Sequence, residues 1–230
     1  MTTRRGGFSQ PPFDSMNIRG GIGDDTQAVH DNQRLLAEAM GVTPVYLNQV
    51  HGTTVVRLTA ADLKSGAPIH TADASVTTEH GIACAAQVAD CLPVLFAAPG
   101  AVGAAHAGWR GLAGGVLEAT VKAVCEATGC QAGQVQAWLG ACIGPKHFEV
   151  GTDVLEAFQV NPLKGSPRFR AHAGGKWVAD LPGLARDRLA RLGLASISGG
   201  HWCTADDPAR FFSYRRDRTT GRMVAVVWLH

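Results

Sequence analysis

Residues 82–115 constrain the fold more than any other part of the chain. Their sequence, IACAAQVADCLPVLFAAPGAVGAAHAGWRGLAGG, contains apolar runs typical of buried β-strands. Asp90 and Cys91 interrupt these runs, and His106 precedes a Gly-Trp-Arg-Gly turn that leads into a helical pattern. Cys and His side chains at strand ends beside a helix N-terminus can perform chemistry. A plain hydrophobic core would not need them.

The rest of the chain predicts more strands than helices. Strands are expected at 45–47, 53–58, 74–78, 81–88, 92–97, 101–105, 135–143 and 223–229, and helices at 27–40, 111–128, 152–158 and 182–192. The two kinds of element do not alternate regularly, so we expect an α+β fold of layered mixed β-sheets with flanking helices. With no repeat or linker, the sequence predicts a single catalytic domain over residues 1–230.

Charge and hydropathy narrow the classes of partner. A net charge of +2 with scattered Lys and Arg gives no reason to expect nucleic acid or an acidic membrane surface. The first residues lack the apolar core of a signal peptide, and the longest apolar run is shorter than the roughly 20 residues of a membrane span. We therefore expect a cytoplasmic protein. Its six cysteines form no C-x-x-C pair and are expected to be thiols. The sequence leaves the oligomeric state unknown.

His51, Cys91 and His106 together offer the donor atoms of a zinc site. A thiolate and two imidazoles form a known ligand set, and three protein ligands leave a fourth position for water or substrate. Their spacing of 40 and 15 positions is weak evidence. Two alternatives are a buried Cys with two hydrogen-bonded His, and a metal-free pair with Cys91 as the nucleophile.

Four further residues are candidates for the same site. Asp90 could fix a His tautomer, or cap its own turn. Asn48 could point its amide into the pocket of His51, or hold its own corner. Arg110 directly precedes a Gly-rich helix that starts at Gly111, where phosphate could bind. The glycines could equally serve close packing on a sheet.

Two C-terminal segments offer weaker signals. The His201-Trp-Cys203 pair is a rival ligand set, but it lacks an obvious third partner. Residues 211–223 are expected to form a hairpin with a solvated basic face, and a substrate contact there is less favoured. Cys142 is expected to be a core thiol at the end of a strand.

Short motifs in a fixed order carry a resemblance to a known family. They are RGGFS (5–9), GDD (23–25), NQVHG (48–52), ADCLPVL (89–95), AHAGWRG (105–111), GP (144–145), EVG (149–151), CT (203–204) and FSYRRD (212–217). The chain resembles the family variously called polyphenol oxidoreductase (laccase), peptidoglycan editing factor, and purine nucleoside phosphorylase/adenosine deaminase. The match runs from about Arg5 to the C-terminus.

The resemblance implies a cysteine-hydrolase-like (cytotoxic-necrotising-factor-like) fold with His51, Cys91 and His106 as zinc ligands. Copper is a second option, because a Cys-His-His ligand set also accepts it. It also implies phosphorolysis of adenosine, inosine and methylthioadenosine, together with adenosine deamination. The expected partners are thus a small purine nucleoside and phosphate, and the expected catalytic residues are Asn48, Asp90 and Arg110, with Arg110 and Gly111 on the phosphate.

Three other functions remain open at the level of sequence. One is an amidase that removes misincorporated amino acids from peptidoglycan precursors, and another is a non-catalytic metal- or nucleotide-binding module. The third is a copper-dependent polyphenol oxidase. A trinuclear copper cluster beside a blue-copper site needs many His ligands, and this chain has nine His and no His-x-His pair. Four-electron reduction of oxygen is therefore not expected.

Overall fold

The fold consists of short strands and a smaller number of helices. A computed structural model describes residues 1–230, apart from the side chain of Pro162. The strands are β1 (Thr43–Val45), β2 (Val55–Arg57), β3 (Ala74–Thr77), β4 (Ile82–Val88), β5 (Leu92–Ala98), β6 (Ala101–Ala107), β7 (Gln136–Leu139), β8 (Glu149–Val150), β9 (Phe169–Ala171), β10 (Trp177–Ala179), β11 (Ser196–Gly199) and β12 (Met223–Trp228). The α-helices are α1 (Thr26–Met40), α2 (Trp109–Gly114), α3 (Val116–Thr128), α4 (Thr152–Ala157), α5 (Leu181–Arg191) and α6 (Tyr214–Asp217).

The strands form three sheets, two of them mixed. The larger mixed sheet has the order β11-β7-β5-β6-β3-β2, and the smaller has the order β1-β4-β12. In each, parallel and antiparallel pairs occur together. The third sheet, β8-β10-β9, is antiparallel. The expected α+β architecture of mixed sheets with few helices is confirmed.

The two mixed sheets pack face to face, and this explains the apolar run at 82–88. Side chains alternate between the two faces of a strand. On β4, Cys84 and Ala86 pack with Ala104 of the larger sheet, while Ala85 packs with the side chains of α1. Every residue of β4 is therefore buried. On the far side of the larger sheet, α3 packs against β3 and β6.

Local signals place the helix ends correctly in several cases. The Asp25 side chain accepts a hydrogen bond from the Ala28 N–H and caps α1, which ends at Gly41 in the left-handed conformation. Asp180 caps α5 in the same way, by accepting from the Gly183 N–H. The helix expected at 111–128 is instead two helices. Gly115, with φ +100°, breaks it into α2 and α3.

Two other expectations are wrong in their bounds or type. The strand expected at 135–143 is only β7, because the chain leaves the sheet at Gly140 and then forms an isolated bridge between Cys142 and Cys203. The hairpin expected at 211–223 is instead the short helix α6 followed by β12. Among the described residues, no helix is both long and apolar enough to cross a membrane.

Candidate active site

Cys91 lies in the connection between the two mixed sheets. Only residues 89–91 separate the end of β4 in the smaller sheet from the start of β5 in the larger one. Asp90 adopts φ +96°, which turns the chain sharply at this point. The Asp90 carboxylate accepts hydrogen bonds from the Thr204 hydroxyl (2.5 Å) and the Arg215 N–H (2.6 Å) and fixes this turn. Cys91 is left half-buried.

His106 lies near the end of β6, on the strand beside Cys91. In the antiparallel pairing of β5 with β6, His106 is opposite Pro93, two residues beyond Cys91. The side chain is 4% exposed, and its Nδ1 atom lies 2.8 Å from Asp73 Oδ1. A carboxylate at Nδ1 fixes the ring orientation and leaves Nε2 as the free donor atom.

His51 lies in the loop between β1 and β2 and has φ +63°. Asp73 holds this loop as well, because its carboxylate accepts hydrogen bonds from the N–H groups of Val50 (3.2 Å), His51 (2.8 Å) and Gly52 (2.6 Å). Burial opposes the ionisation of Asp73, but the hydrogen bonds from His106 and Gly52 outweigh it and lower the pKa of this carboxyl group. One carboxylate thus positions both histidines.

The structure brings His51, Cys91 and His106 together, and we call them the metal-ligand set. Their donor atoms all lie within 4.8 Å of one another, and Cys91 Sγ is 3.7 Å from His51 Nε2. Two imidazole nitrogens and a thiolate fit a tetrahedral zinc site with an open fourth position. Gly108 borders the set closely, since a Cβ atom there would come within 2.7 Å of His51 Cδ2 and 3.0 Å of Cys91 Sγ. Any side chain at position 108 would intrude on the site.

The charges of Cys91 and His106 are coupled. Burial raises the pKa of the Cys91 thiol, but the imidazoles of His106 and His51 outweigh it and lower that pKa to about 6. For His106, burial lowers the pKa, while the Cys91 thiolate and Asp73 raise it to about 9. The thiolate is the form that binds a metal and the form that attacks carbon. The alternative of Cys91 as a nucleophile therefore remains chemically sound.

Two cavities meet at Cys91. The His106 cavity, about 410 Å³, contains His51, His106 and Cys91, and two arginines, Arg19 and Arg222, line it. The Arg110 cavity, about 300 Å³, also reaches Cys91, and its basic side chains are those of Arg110, Arg215 and Arg218. Tyr214 lies in the wall of both cavities and is half exposed.

Arg110 lines its cavity and is exposed to solvent. Its guanidinium stacks on the Trp109 ring, 4.2 Å from the ring centroid. Gly111 is buried, and a Cβ atom there would lie 2.8 Å from the Gly52 carbonyl oxygen. The close approach of α2 to the His51 loop accounts for this glycine. Its role toward phosphate stays a prediction.

The side chains of Asn48 and Asp90 were expected to act on the metal-ligand set, but in the structure they bond to other residues. The Asn48 amide donates to the Thr71 hydroxyl (3.1 Å) and lies in a neighbouring cavity with Tyr46, so the structure favours the role of holding its own corner. Asp90 does not fix a His tautomer, because Thr204 and Arg215 occupy its carboxylate and Asp73 bonds to His106 instead.

Several residues of the site were missed from sequence. Asp73 directly precedes β3 and carries no local signal, because its partners lie 21 to 33 positions away. Arg215, Arg218 and Arg222 lie in the segment interpreted as a solvated hairpin. The sequence shows that this run is basic and aromatic, but only the fold shows that it lies beside the metal-ligand set.

Comparisons with known proteins agree over the whole chain. Residues 1–230 match the family described as "Multi-copper polyphenol oxidoreductase laccase". An Escherichia coli (strain K12) protein named "Purine nucleoside phosphorylase YfiH" is 47% identical over 232 residues, which cover 99% of this chain and 92% of that protein. The crystal structure of a Neisseria meningitidis protein has a TM-score of 0.91 and 42% identity, covering 100% and 92% of the two chains. That of YlmD from Geobacillus stearothermophilus has a TM-score of 0.91 and 34% identity, covering 99% and 89%.

Proposed function

The chain belongs to the multi-copper polyphenol oxidoreductase laccase family, and we propose that it is a zinc-dependent purine nucleoside phosphorylase that also deaminates adenosine. Adenosine, inosine and methylthioadenosine are the proposed nucleosides. One observation carries the proposal: Cys91 joins a cavity that contains two histidines, beside two arginines, to a cavity lined by three arginines. The names of the relatives support the phosphorylase part.

The metal-ligand set supports zinc. When bound there, a zinc ion supplies a Lewis acid that activates water near neutral pH. His106 and His51 offer their ring nitrogens, and the buried contact of His106 with Asp73 keeps one of them oriented. Both candidate metal clusters in the described part of the chain contain only three ligating residues each. This is too few for a blue-copper site beside a trinuclear copper cluster, so we do not propose polyphenol oxidation.

The Arg110 cavity supports phosphate as the second substrate. Arg215 is held in place by hydrogen bonds from its Nη1 atom to the carbonyl oxygens of His147 (3.1 Å) and Glu149 (3.0 Å). Among the described side chains, neither Arg110 nor Arg218 has an acidic partner. One guanidinium group can donate two parallel hydrogen bonds to two oxygens of a phosphate. A phosphate oxygen here would attack C1′ of the ribose as the bond to the purine breaks.

The His106 cavity supports the nucleoside. Tyr214 stands between the two cavities, and its ring offers a flat apolar face against which a purine can stack. Deamination consumes water in place of phosphate, so it needs the His106 cavity but not the Arg110 cavity. The position of Cys91 just before β5, close to His106 on the adjacent strand β6, also supports the proposed cysteine-hydrolase-like fold.

The test is phosphate-dependent cleavage of inosine by Arg110 variants. Arg110→Ala removes a charge-assisted contact worth roughly 1.5–3 kcal/mol, so the use of phosphate should fall tenfold or more. Arg110→Lys should rescue it only in part, because an ammonium cannot form the guanidinium fork. The measurement is hypoxanthine release against phosphate concentration, with adenosine deamination followed beside it. Deamination should fall much less.

Arg57→Ala is the matched control, because Arg57 is an exposed arginine on β2 that contacts the Thr78 hydroxyl and lines neither cavity. It should leave phosphate use unchanged. If inosine cleavage ignores phosphate, or Arg110→Ala leaves its phosphate dependence intact, the phosphate assignment fails. The amidase function would then be the better hypothesis.

A further inference from the structure

A second cluster of ligating side chains lies outside the candidate active site. It consists of His147, Cys203 and Asp206, whose donor atoms all lie within 4.8 Å of one another. We propose that this second cluster binds a divalent transition-metal ion of the zinc class, independently of the metal-ligand set and of the proposed activity. Of its three residues, the sequence singled out only Cys203, which belongs to the rival pair with His201 and to the CT motif at 203–204.

The backbone holds the three side chains of the second cluster in place. His147 lies in a turn in which its N–H donates to the Gly144 carbonyl (3.0 Å). Cys203 lies on the other segment, which is bridged in parallel to Cys142, with the Thr204 N–H donating to the Cys142 carbonyl (2.9 Å). The ligands therefore come from two segments that are already bound to each other, so little chain entropy would be lost on metal binding.

The donor set suits a zinc-class ion. Imidazole, thiolate and carboxylate are all zinc ligands, and three of them leave a position for water. The Gly144 N–H donates to Cys203 Sγ (3.1 Å), which holds the sulfur in place beside His147 and Asp206. His147 Nε2 lies 2.5 Å from Asp206 Oδ1. Metal bonds of about 2.0–2.2 Å would move these two atoms apart. Their side chains are 40% and 50% exposed and have room to do so.

The second cluster differs from the other surface His–carboxylate pairs. His172 pairs with Glu149 at 3.6 Å, and His70 pairs with Asp62 at 2.6 Å. Neither pair belongs to a group of three ligating side chains in the described residues. A thiol beside the imidazole and the carboxylate is therefore what makes the second cluster a ligand set.

A metal ion in the second cluster would act on the wall of the Arg110 cavity. Arg215 donates to the His147 carbonyl, and its own N–H donates to Asp90. Thr204, next to Cys203, donates its hydroxyl to the same carboxylate. A metal that joins His147 to Cys203 would thus fix both segments that position Arg215 and Asp90 beside Cys91.

The test uses cobalt(II) as the probe, because it follows the same ligand preferences and gives a near-ultraviolet charge-transfer band with thiolate. The Cys91→Ala variant removes the thiolate of the first set. It should still bind about one cobalt ion per chain with a thiolate band. The variant that carries both Cys91→Ala and Cys203→Ser should lose the band. Its affinity for cobalt should fall by more than roughly 10–100-fold, the loss typical of removing a residue that only hydrogen-bonds to a metal ligand.

His172→Ala in the Cys91→Ala background is the matched control and should bind cobalt as before. Asp206→Ala alters a half-exposed side chain, and it tests the site even if Cys203→Ser disturbs the fold. It should weaken binding while keeping the thiolate band. The proposal is overturned if Cys91→Ala binds no cobalt, if Cys203→Ser keeps the band, or if Asp206→Ala leaves the affinity unchanged. These outcomes measure metal binding alone, and phosphate-dependent cleavage of inosine is tested separately with the Arg110 variants.

Discussion

The Asp73 carboxylate receives hydrogen bonds from both sides of the candidate active site. Three backbone N–H groups of the loop at 50–52 reach it from one side, and His106 Nδ1 reaches it from the other. The Asp73 carbonyl oxygen also accepts from the His106 N–H at 2.7 Å. A carboxylate is acceptor-only, so it can satisfy all these donors at once. The separation of His51 from His106 therefore depends on this side chain.

Asp73→Asn is expected to weaken zinc binding by about 10–100-fold. One end of the amide is a donor and would face a backbone N–H or His106, so the loop and the ring would lose their orientation. The measurement is the zinc dissociation constant, from competition with a chromophoric chelator. Asp62→Asn is the control, because Asp62 also bonds to a histidine, His70, and to a backbone N–H, that of Thr59. Equal zinc affinities of Asp73→Asn and Asp62→Asn would contradict the role given to Asp73.

At the residue scale, the sequence pointed to the reactive side chains but not to what surrounds them. Cys91 and His106 stand out because each interrupts an apolar strand pattern, where a polar group needs a reason to be. Asp73 and Arg215 act through contacts made across the fold. Their neighbours in sequence form an ordinary strand start and an ordinary basic run, so no local pattern distinguishes them.

At the scale of elements, a single arginine joins the small antiparallel sheet to α5. Arg168 precedes β9 and forms a two-bond contact with Asp187, in which Nε and Nη2 each donate over 2.8 Å. Its Nη1 donates to Asp180, the residue that caps α5 (2.8 Å). The hydrogen bonds from Arg168 outweigh the effect of burial and lower the pKa of Asp187.

Asp187→Asn is expected to destabilise the protein near neutral pH by about 1 kcal/mol, since the pair is partly exposed and screened by solvent. The pKa of Asp187 is lower in the folded than in the unfolded protein. Its contribution is therefore complete above the unfolded value of about 3.9 and is lost as pH falls through the folded value. The measurement is the difference in unfolding free energy between wild type and Asp187→Asn, at pH 6 and at successively lower pH. A difference that stays constant with pH would contradict the assignment.

Helix ends could be predicted where a side chain or a glycine acts on its own neighbours. Asp25 and Asp180 cap the first turns of α1 and α5, and Gly129 ends α3. Part of the helix expected at 111–128 buries one face, with Leu117, Val121 and Val124 of α3 in the core, but the break at Gly115 was not expected. Whether a glycine is tolerated within a helix or breaks it depends on the sheet beneath, which the local pattern does not contain.

For the molecule as a whole, the metal-ligand set draws on separate parts of the fold. Cys91 lies between the two mixed sheets, His106 lies on β6 of the larger sheet, and His51 lies in a loop that leaves β1 of the smaller one. A metal bound by all three would join the two sheets at one edge. It would therefore stabilise the folded state relative to the unfolded chain, in which the three residues are far apart.

Zinc removal is expected to lower the thermal stability of the wild type. Zinc at about 100 times its dissociation constant contributes about 2.7 kcal/mol. For a chain of this size, each kcal/mol shifts Tm by about 2–4 °C. The measurement is Tm with zinc and after chelation and dialysis. The shift should be clearly smaller in Cys91→Ala and unchanged in Cys125→Ala, since Cys125 lies on α3 outside both clusters. Equal shifts in all three proteins would contradict metal binding by Cys91.

The layered class of the fold was predictable, but the strand order was not. Apolar runs at 82–88 and 101–105 indicate strands buried on both faces, which calls for layers on either side. That β4 pairs with β12, more than 130 positions along the chain, depends on register between distant segments. Register is decided by the faces that become buried together, and this information exists only once the sheets have packed.

The shared position of Cys91 in two cavities has a consequence for the order of events in a reaction with two substrates. The Arg110 cavity and the His106 cavity are separate spaces that share Cys91 in their walls, so a ligand in one cavity leaves room for a ligand in the other. Both can therefore be present at once, as in a ternary complex. A ping-pong mechanism, in which the first product leaves before the second substrate binds, would need only one of these cavities.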